Sequence, residues 1–323
     1  MTRREVGNYD ACKKHGRQRR SFLLGVSRVP TAASYFVLVY PPLPPPPPPP
    51  SLPPPFGFLS LSFLPFFTLC LFLYFSKQAV FDGKKAIRGG IPFVFPQFGA
   101  WTFGPPHGFA RIVRWNVEKS PERLPSGDVE AIFSIMDSEF TRSMWNYPFK
   151  LTYRLILREK ELHFNIGIYN PSKDHTFSFN LLLHTYFKVP DVRRCQITGL
   201  HGCTFIDKGR DVVTVCEWTD RIYQNTQPEH IITNVVSGRK MRVQKYNFPD
   251  TVVWNPWQEK ARDIPDFGDD EFPNMICVES GHVSSPVILL PGTAFEASQI
   301  LQVEYLFMYV EPPSQICKIM QFI

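Results

Sequence analysis

Residues 150–168, KLTYRLILREKELHFNIGI, decide the fold class. Large apolar side chains occupy every second position in Lys150–Leu157 and again in Glu161–Ile168. A period of two is typical of β-strands, whereas an amphipathic helix repeats about every 3.6 residues. Both runs are therefore predicted to be strands.

The same pattern extends on both sides of this stretch, and helical periodicity is nearly absent. Segment Asp266–Met275 is expected to form one or two helical turns at most. The runs recur at the spacing of an antiparallel sandwich or barrel. We therefore predict a mainly β protein, a large antiparallel β-sandwich in one domain over residues 76–303. The further predicted strands are Val129–Met136, Asp211–Val215, Ile231–Val236 and Met241–Tyr246.

Residues 1–75 have a different character. From Pro41 to Leu73 nearly every residue is Pro, Leu, Ser or Phe, and a polyproline run is stiff and lacks backbone donors for a sheet. Segment Phe56–Phe75 is uncharged and long enough to span a bilayer. Each of these four amino acids also has codons that begin with two pyrimidines. A translated non-coding polypyrimidine tract is therefore the alternative. Pro65 interrupts the apolar run and favours that alternative over a membrane anchor. Residues 304–323 form an atypical C-terminal tail.

Composition excludes a wholly disordered chain, because 44% of the 323 residues are apolar and 15% are aromatic. The net charge of +6 equals the surplus of Lys and Arg within residues 1–30. A nucleic-acid-binding protein would spread that charge over a folded face, so we predict no nucleic-acid partner. The seven cysteines include no CxxC pair and no zinc-ligand spacing. They are expected to be reduced thiols of a cytoplasmic protein without a metal site.

Several polar residues stand out among apolar runs and glycine turns, whereas nucleotide-loop, zinc-protease and nucleophile-elbow motifs are absent. Arg88 precedes two glycines, and His107 and Arg111 flank Gly108. An arginine fork suits a carboxylate or a phosphate, although a surface arginine beside a glycine turn is the more common situation.

Three more candidates lie within or beside predicted strands. His184 is expected in the middle of an apolar strand, where it is either a core histidine or a proton donor. Asp220 lies at a strand entry, where a structural role in a turn is the alternative. Glu279 follows an apolar run, and burying an unpaired carboxylate there would cost several kcal/mol or raise its pKa, which favours a functional role; exposure at a sheet edge is the alternative.

Taken together, the ordered blocks of this sequence resemble the aldose 1-epimerase superfamily, and more narrowly the plant-like hexose-6-phosphate mutarotases, also called glucose-6-phosphate 1-epimerases. The resemblance extends from about Lys77 to about Leu301. The blocks are RGGIP at residues 88–92, FPQFG at 95–99, HGFAR at 107–111, LLLHTYF at 181–187, TDRIYQ at 219–224, VVWNPW at 252–257 and DFGDDEF at 266–272 followed by CVES at 277–280.

The resemblance implies a large antiparallel β-sandwich and a reaction that interconverts the α and β anomers of a hexose 6-phosphate without a cofactor. It implies that Glu279 is the base and His184 the acid. It also implies that Arg88 and Arg111 bind the 6-phosphate. His107 and Asp220 are then expected to bind the sugar.

The sequence departs from the family pattern in two places. Pro106 stands where the family often has a polar residue, and residues 1–75 stand where the family has its first strands. The sandwich is therefore expected to lack those strands. A catalytically inactive sugar-phosphate-binding protein and a membrane-tethered variant are the alternative functions, and the oligomeric state stays open.

Overall fold

The computed structural model describes residues 72–200 and 212–304. The basic N-terminal region, the proline run, most of the apolar segment Phe56–Phe75 and the tail after residue 304 lie outside the described residues. Leu73 forms a bridge with Phe187, and Phe75 forms one with Gly89. Within the described part of the chain, no helix has the length and apolar character needed to span a membrane.

Strands dominate the described residues, and all paired strands are antiparallel. The strands are β1 (Phe93–Val94), β2 (Asn116–Arg123), β3 (Val129–Met136), β4 (Lys150–Leu157), β5 (Glu161–Tyr169), β6 (Phe177–Leu183), β7 (Tyr186–Lys188), β8 (Cys195–Thr198), β9 (Val212–Val213), β10 (Thr219–Tyr223), β11 (Glu229–Asn234), β12 (Lys240–Tyr246), β13 (Asp250–Asn255), β14 (Met275–Leu289) and β15 (Ala294–Glu304). Within residues 72–200 and 212–304 the helices are α1 (Glu139–Met144) and α2 (Trp257–Ala261), with 3-10 turns at Val192–Arg194 and Phe272–Asn274.

Two sheets form the sandwich. A nine-stranded sheet has the order β2-β3-β4-β5-β15-β12-β11-β8-β9. A six-stranded sheet has the order β1-β6-β14-β13-β10, with β7 also paired to β14. The prediction of a mainly β, antiparallel sandwich is confirmed.

The main core lies between the two sheets. Leu183 and Val278 contribute from the six-stranded sheet, while Ile166 and Leu301 contribute from the nine-stranded sheet. Phe95 is a fully buried member of this core and contacts four aromatic rings, those of Phe109, Trp145, Phe149 and Phe179. Because successive side chains of a strand alternate between faces, the neighbours of these core residues point to the opposite face of the six-stranded sheet.

That opposite face, which we call the site face, carries two smaller apolar clusters. Leu182 and Val252 belong to one cluster, and Tyr186 and Cys277 belong to the other. The candidate catalytic residues lie on this face between the two clusters.

Predicted and observed strands agree closely where alternation is regular. Segments Val129–Met136 and Lys150–Leu157 have the bounds of β3 and β4, and the predicted strand at Met241–Tyr246 is β12 with one added residue. The helix α1 was not predicted. Ser138 and Thr141 form its capping box, but six residues are too few to display a helical repeat.

The position of His184 within a continuous strand was predicted wrongly. β6 ends at Leu183 and β7 begins at Tyr186, so His184 and Thr185 form a break between them. The physical reason is local, because the N–H of Thr185 donates to the carbonyl of Leu183 at 2.9 Å instead of continuing the ladder.

Candidate active site

The centre of the site face is a contact between His184 and Glu279. Strand β14 pairs with β6 on one side of the break, where Ser280 faces Leu183, and with β7 on the other, where Cys277 faces Tyr186. This register places Glu279 opposite His184. Nδ1 of His184 lies 3.2 Å from Oε1 of Glu279.

Both members of this pair are deeply buried. Glu279 is 1% exposed and His184 is 8% exposed. The 3.2 Å approach is not aligned for a hydrogen bond, and Nδ1 of His184 and both carboxylate oxygens of Glu279 have no hydrogen-bond partner among the described residues. Buried polar atoms without partners are rare in folded proteins and are costly, so they point to a site kept for function.

Burial moves the two pKa values in opposite directions. The pKa of Glu279 is raised well above its ordinary value by burial and then by the negative charge of Asp220. The pKa of His184 is lowered well below its ordinary value, first by burial and then by the positive charges of His107, Arg111 and Arg88. Burial therefore disfavours the charged form of each residue, the carboxylate of Glu279 and the imidazolium of His184.

Aromatic rings fix the orientation of the imidazole. The ring of Tyr186 stacks on that of His184 with centroids 4.7 Å apart and an angle of 12°. Trp254 and His107 meet the imidazole edge-on at 6.0 and 5.9 Å. The backbone is fixed as well, since the N–H of His184 donates to the carbonyl of Pro92 at 3.0 Å.

His107 reaches the site from a strained loop. Its backbone φ is 65°, and Gly108 follows with a φ of 75°. A Cβ on Gly108 would lie 2.1 Å from the carbonyl oxygen of Phe95, so only glycine fits there. A non-glycine residue in the left-handed region is a recurrent feature of functional sites.

The hydrogen bonding of His107 defines its tautomer. The N–H of Gly99 donates to Nδ1 of His107 at 3.3 Å, which leaves Nε2 as the protonated, donating nitrogen. The pKa of His107 is lowered to about 4 by burial and then by the positive charges of Arg111 and Arg88. The neutral ring is thus a hydrogen-bond donor at physiological pH.

Arg88 lies at the side of the site next to Tyr186. Its Nε and one terminal nitrogen each lie 3.1 Å from Oδ1 of Asp266, and the other terminal nitrogen donates to the hydroxyl of Tyr186 at 3.2 Å. Burial would lower the pKa of Arg88, but Tyr186 and Asp266 outweigh it and raise that pKa. Gly89 must follow Arg88, because a Cβ there would meet the backbone of Phe75 at 2.5 Å.

Arg111 is partly buried on the same side. One terminal nitrogen donates to the carbonyl of Pro106 at 2.7 Å, so the residue that departs from the family pattern contacts the arginine through its backbone. The pKa of Arg111 is lowered by burial, with the charges of Arg88 opposing proton binding and those of Glu279 and Asp266 favouring it. The charge of Arg88 thus reaches Arg111, so the two guanidinium groups lie in the same site.

Asp220 lies at the edge of the six-stranded sheet. It faces Trp254 across the β10–β13 pair, and Trp254 in turn faces Cys277 of β14. The side chain is exposed, yet partial loss of water around it raises its pKa. Its charge reaches Glu279 and raises that pKa further.

The structure brings all six sequence-predicted residues to one face of one sheet, although Arg88 and Glu279 lie almost 200 positions apart in the chain. Sequence reasoning missed Tyr186 and Asp266, which hold Arg88. Tyr186 follows His184 by two positions, so alternation was a signal that it shares the face. An open cleft of about 390 Å³ bounded by Gln97, Trp145 and Asn180 does not include the His184–Glu279 pair.

Comparison with known proteins places this chain in a family. The model for the family Aldose 1-epimerase matches residues 71–302, which include all six candidate residues. The chain belongs to the aldose 1-epimerase family. The resemblance inferred from the sequence blocks is thereby confirmed at the level of the family.

Relatives and solved structures agree with this assignment. A Cenchrus ciliaris protein named "Putative glucose-6-phosphate 1-epimerase" is 33% identical over 68% of this chain and 71% of its own length. An Escherichia coli protein of the same name is 30% identical over 66% of this chain and 73% of its own length. A crystal structure from Salmonella typhimurium, described as a "putative mutarotase", has a TM-score of 0.65 at 26% identity over 72% of this chain and 79% of that one.

Proposed function

We propose that this aldose 1-epimerase family member interconverts the α and β anomers of a hexose 6-phosphate, glucose 6-phosphate in particular. The observation that carries the proposal is the buried, unpartnered pair of His184 and Glu279, with 3.2 Å between Nδ1 and Oε1. Anomer interconversion needs a base and an acid in one place, and this pair offers both.

In the proposed mechanism, Glu279 takes the proton from the C1 hydroxyl and His184 protonates the ring oxygen. The electron pair of the O–H bond forms the C1 carbonyl as the bond from C1 to the ring oxygen breaks. Rotation about C1–C2 then presents the other carbonyl face to the C5 hydroxyl. That hydroxyl attacks C1, returns its proton to His184, and the new C1 oxyanion takes a proton from Glu279.

The proton balance of the buried pair supports these roles. A neutral carboxylic acid beside a neutral imidazole contains the same single proton as a carboxylate beside an imidazolium. Once the two groups reorient into hydrogen-bonding alignment, transfer of that proton between Nδ1 and Oε1, now 3.2 Å apart, creates the base and the acid together, with no proton exchanged with solvent. Because Glu279 is 1% exposed, a sugar can reach it only when the groups that cover it move.

The residues around the pair match the rest of a sugar phosphate. Arg88 and Arg111 offer two guanidinium forks, which suit a phosphate. Asp266 already gives Arg88 an anionic partner at 3.1 Å. A bound phosphate would therefore either share Arg88 with Asp266 or displace Asp266 from it. The Nε2–H of His107 can donate to a sugar oxygen, and the carboxylate of Asp220 can accept from sugar hydroxyls.

The experiment that tests the proposal follows the optical rotation of freshly generated α-glucose 6-phosphate with wild-type protein and with Glu279→Gln. Glutamine keeps the shape but cannot accept the proton, so acceleration should fall by at least about a hundredfold. Glu159→Gln, in the exposed turn between β4 and β5, is the matched control and should behave as wild type. Normal turnover by Glu279→Gln would refute the assigned base. Sugar-phosphate binding by wild-type protein without any acceleration would select the binding-only alternative.

Substrate class is tested by comparing glucose 6-phosphate with glucose. Arg88→Gln and Arg111→Gln should each weaken kcat/KM for the phosphorylated sugar by about tenfold or more, since a hydrogen bond to a charged group contributes about 1.5–3 kcal/mol. Activity on glucose should change much less. Equal losses on both sugars would contradict phosphate binding by these arginines.

A further inference from the structure

A third potential ligand lies beside the catalytic pair. Cys277 precedes Glu279 by two positions in β14, so the two side chains share the site face. The Sγ atom of Cys277, a ring nitrogen of His184 and a carboxylate oxygen of Glu279 all lie within 4.8 Å of one another, and all three residues are buried. Among the described residues, no other group of three His, Cys, Asp or Glu side chains has its ligand atoms this close together.

The chemistry of these atoms matches one class of ion. Thiolate, imidazole and carboxylate are the three ligand types that Zn²⁺ takes, at bond lengths of about 2.0–2.3 Å. Tetrahedral coordination at those lengths separates ligand atoms by roughly 3.3–3.8 Å, so closing the triangle from 4.8 Å requires a shift of about 1 Å. The nitrogen and both oxygens have lone pairs that no described hydrogen bond uses.

Charge balance favours the same ion. A thiolate and a carboxylate together neutralise a divalent cation, and the imidazole adds a neutral ligand. A net charge of zero suits a site in which Cys277 is fully buried and Glu279 nearly so. Binding would release the thiol proton to solvent, because cysteine binds the ion as the thiolate.

We propose that His184, Cys277 and Glu279 form an inhibitory binding site for a thiophilic divalent cation, with Zn²⁺ as the best fit. Three protein ligands leave the fourth tetrahedral position for water or a sugar oxygen. The bound cation would occupy the lone pairs that move protons, so metal binding and anomer interconversion exclude each other. The inhibition rests on the proposed function, whereas the binding rests on the geometry alone.

Binding is measured on metal-free, full-length protein by competition for Zn²⁺ with a chromophoric chelator. We expect one tight Zn²⁺ per chain for the wild type and a loss of at least about tenfold in affinity for Cys277→Ser, because the thiolate is the strongest of the three ligands. Cys216→Ser removes an exposed thiol elsewhere in the chain and is the matched control, expected to bind as wild type. Unchanged affinity in Cys277→Ser would overturn the proposal.

A spectroscopic measurement keeps the test independent of how the variants fold. Co²⁺ bound to wild-type protein at this site should give a thiolate-to-cobalt charge-transfer band in the near ultraviolet, and addition of Zn²⁺ should remove it. Absence of that band in Co²⁺-loaded wild type would show that no thiolate binds the ion and would overturn the site.

The kinetic measurement separates the two proposals. Zn²⁺ should inhibit wild type and Cys216→Ser, and glucose 6-phosphate should protect against it. Cys277→Ser, compared with its own rate in the absence of metal, should lose most of the inhibition. Equal inhibition of Cys277→Ser and wild type would overturn the metal site. A wild-type protein that binds Zn²⁺ but never accelerates anomer exchange would refute the proposed function and leave the metal site supported.

Discussion

Buried His230 should contribute to the acid sensitivity of the protein, and substitution by glutamine should remove that contribution. His230 is fully buried; its Nε2 lies 2.8 Å from Oγ1 of Thr251 and its Nδ1 lies 3.1 Å from the carbonyl of Thr198. Burial, followed by the positive charge of Lys245, lowers the pKa of His230 from 6.5 to about 4. Glutamine can keep one donor and one acceptor at this position without titrating.

The magnitude follows from proton linkage. Between about pH 6.5 and 4 this histidine binds a proton in the unfolded state but not in the folded state. The free energy of unfolding therefore has its full value above the unfolded pKa and decreases as pH falls toward the folded pKa. The cost is about 2 kcal/mol at about pH 5 and on the order of 3 kcal/mol once pH falls below 4.

The assay is urea unfolding of wild type and His230→Gln at about pH 7.5 and about pH 5. The free energy of unfolding of the wild type should fall by about 2 kcal/mol more than that of the variant. His175→Gln, at an exposed imidazole, is the control and should lose as much as wild type. Equal losses in wild type and His230→Gln would refute the reasoning.

Three further predictions concern the core and the site. Gly108→Ala should destabilise the protein by about 2 kcal/mol or more in urea unfolding, because its φ is 75° and the new Cβ would lie 2.1 Å from a carbonyl oxygen. Phe95→Ala should cost about 3–5 kcal/mol in the same assay, whereas Phe103→Ala, at a side chain that is 72% exposed, should cost little. Asp220→Asn should move the basic limb of the pH–rate profile to lower pH. The pKa of Glu279 is the higher one of the catalytic pair, so the pair loses its last proton at that pKa, and the negative charge of Asp220 helps to raise it. An unmoved basic limb would contradict that coupling.

Alternation of side chains was enough to predict the most regular strands. β3 and β4 have the predicted bounds because apolar side chains occupy every second position, from Val129 to Ile135 in β3 and from Leu151 to Leu157 in β4. The helix α1 was not predicted because six residues are too few to show the 3.6-residue repeat of apolar side chains. Its capping box was the one helix signal in that segment. The break at His184 escaped because Leu183 and Tyr186 both suit a strand, and only the bond from Thr185 to Leu183 interrupts it.

The site could be predicted only in part. The sequence blocks pointed to Arg88 and Glu279 through family resemblance, but the partner of Arg88 depends on how a loop folds over the sheet. Asp266 lies within the block DFGDDEF beside two other aspartates, and no pattern tells which one meets the guanidinium. The missing hydrogen bonds of Glu279 are likewise a property of the packed structure.

The most direct test of the central claim asks whether His184 and Glu279 act as one unit. Exchange of glucose 6-phosphate anomers at equilibrium can be measured by NMR for wild type, His184→Gln, Glu279→Gln and the double variant. Groups that share one proton fail together, so the double variant should be no slower than the slower single variant. Losses that multiply in the double variant, or a single variant with wild-type exchange, would contradict catalysis by the pair.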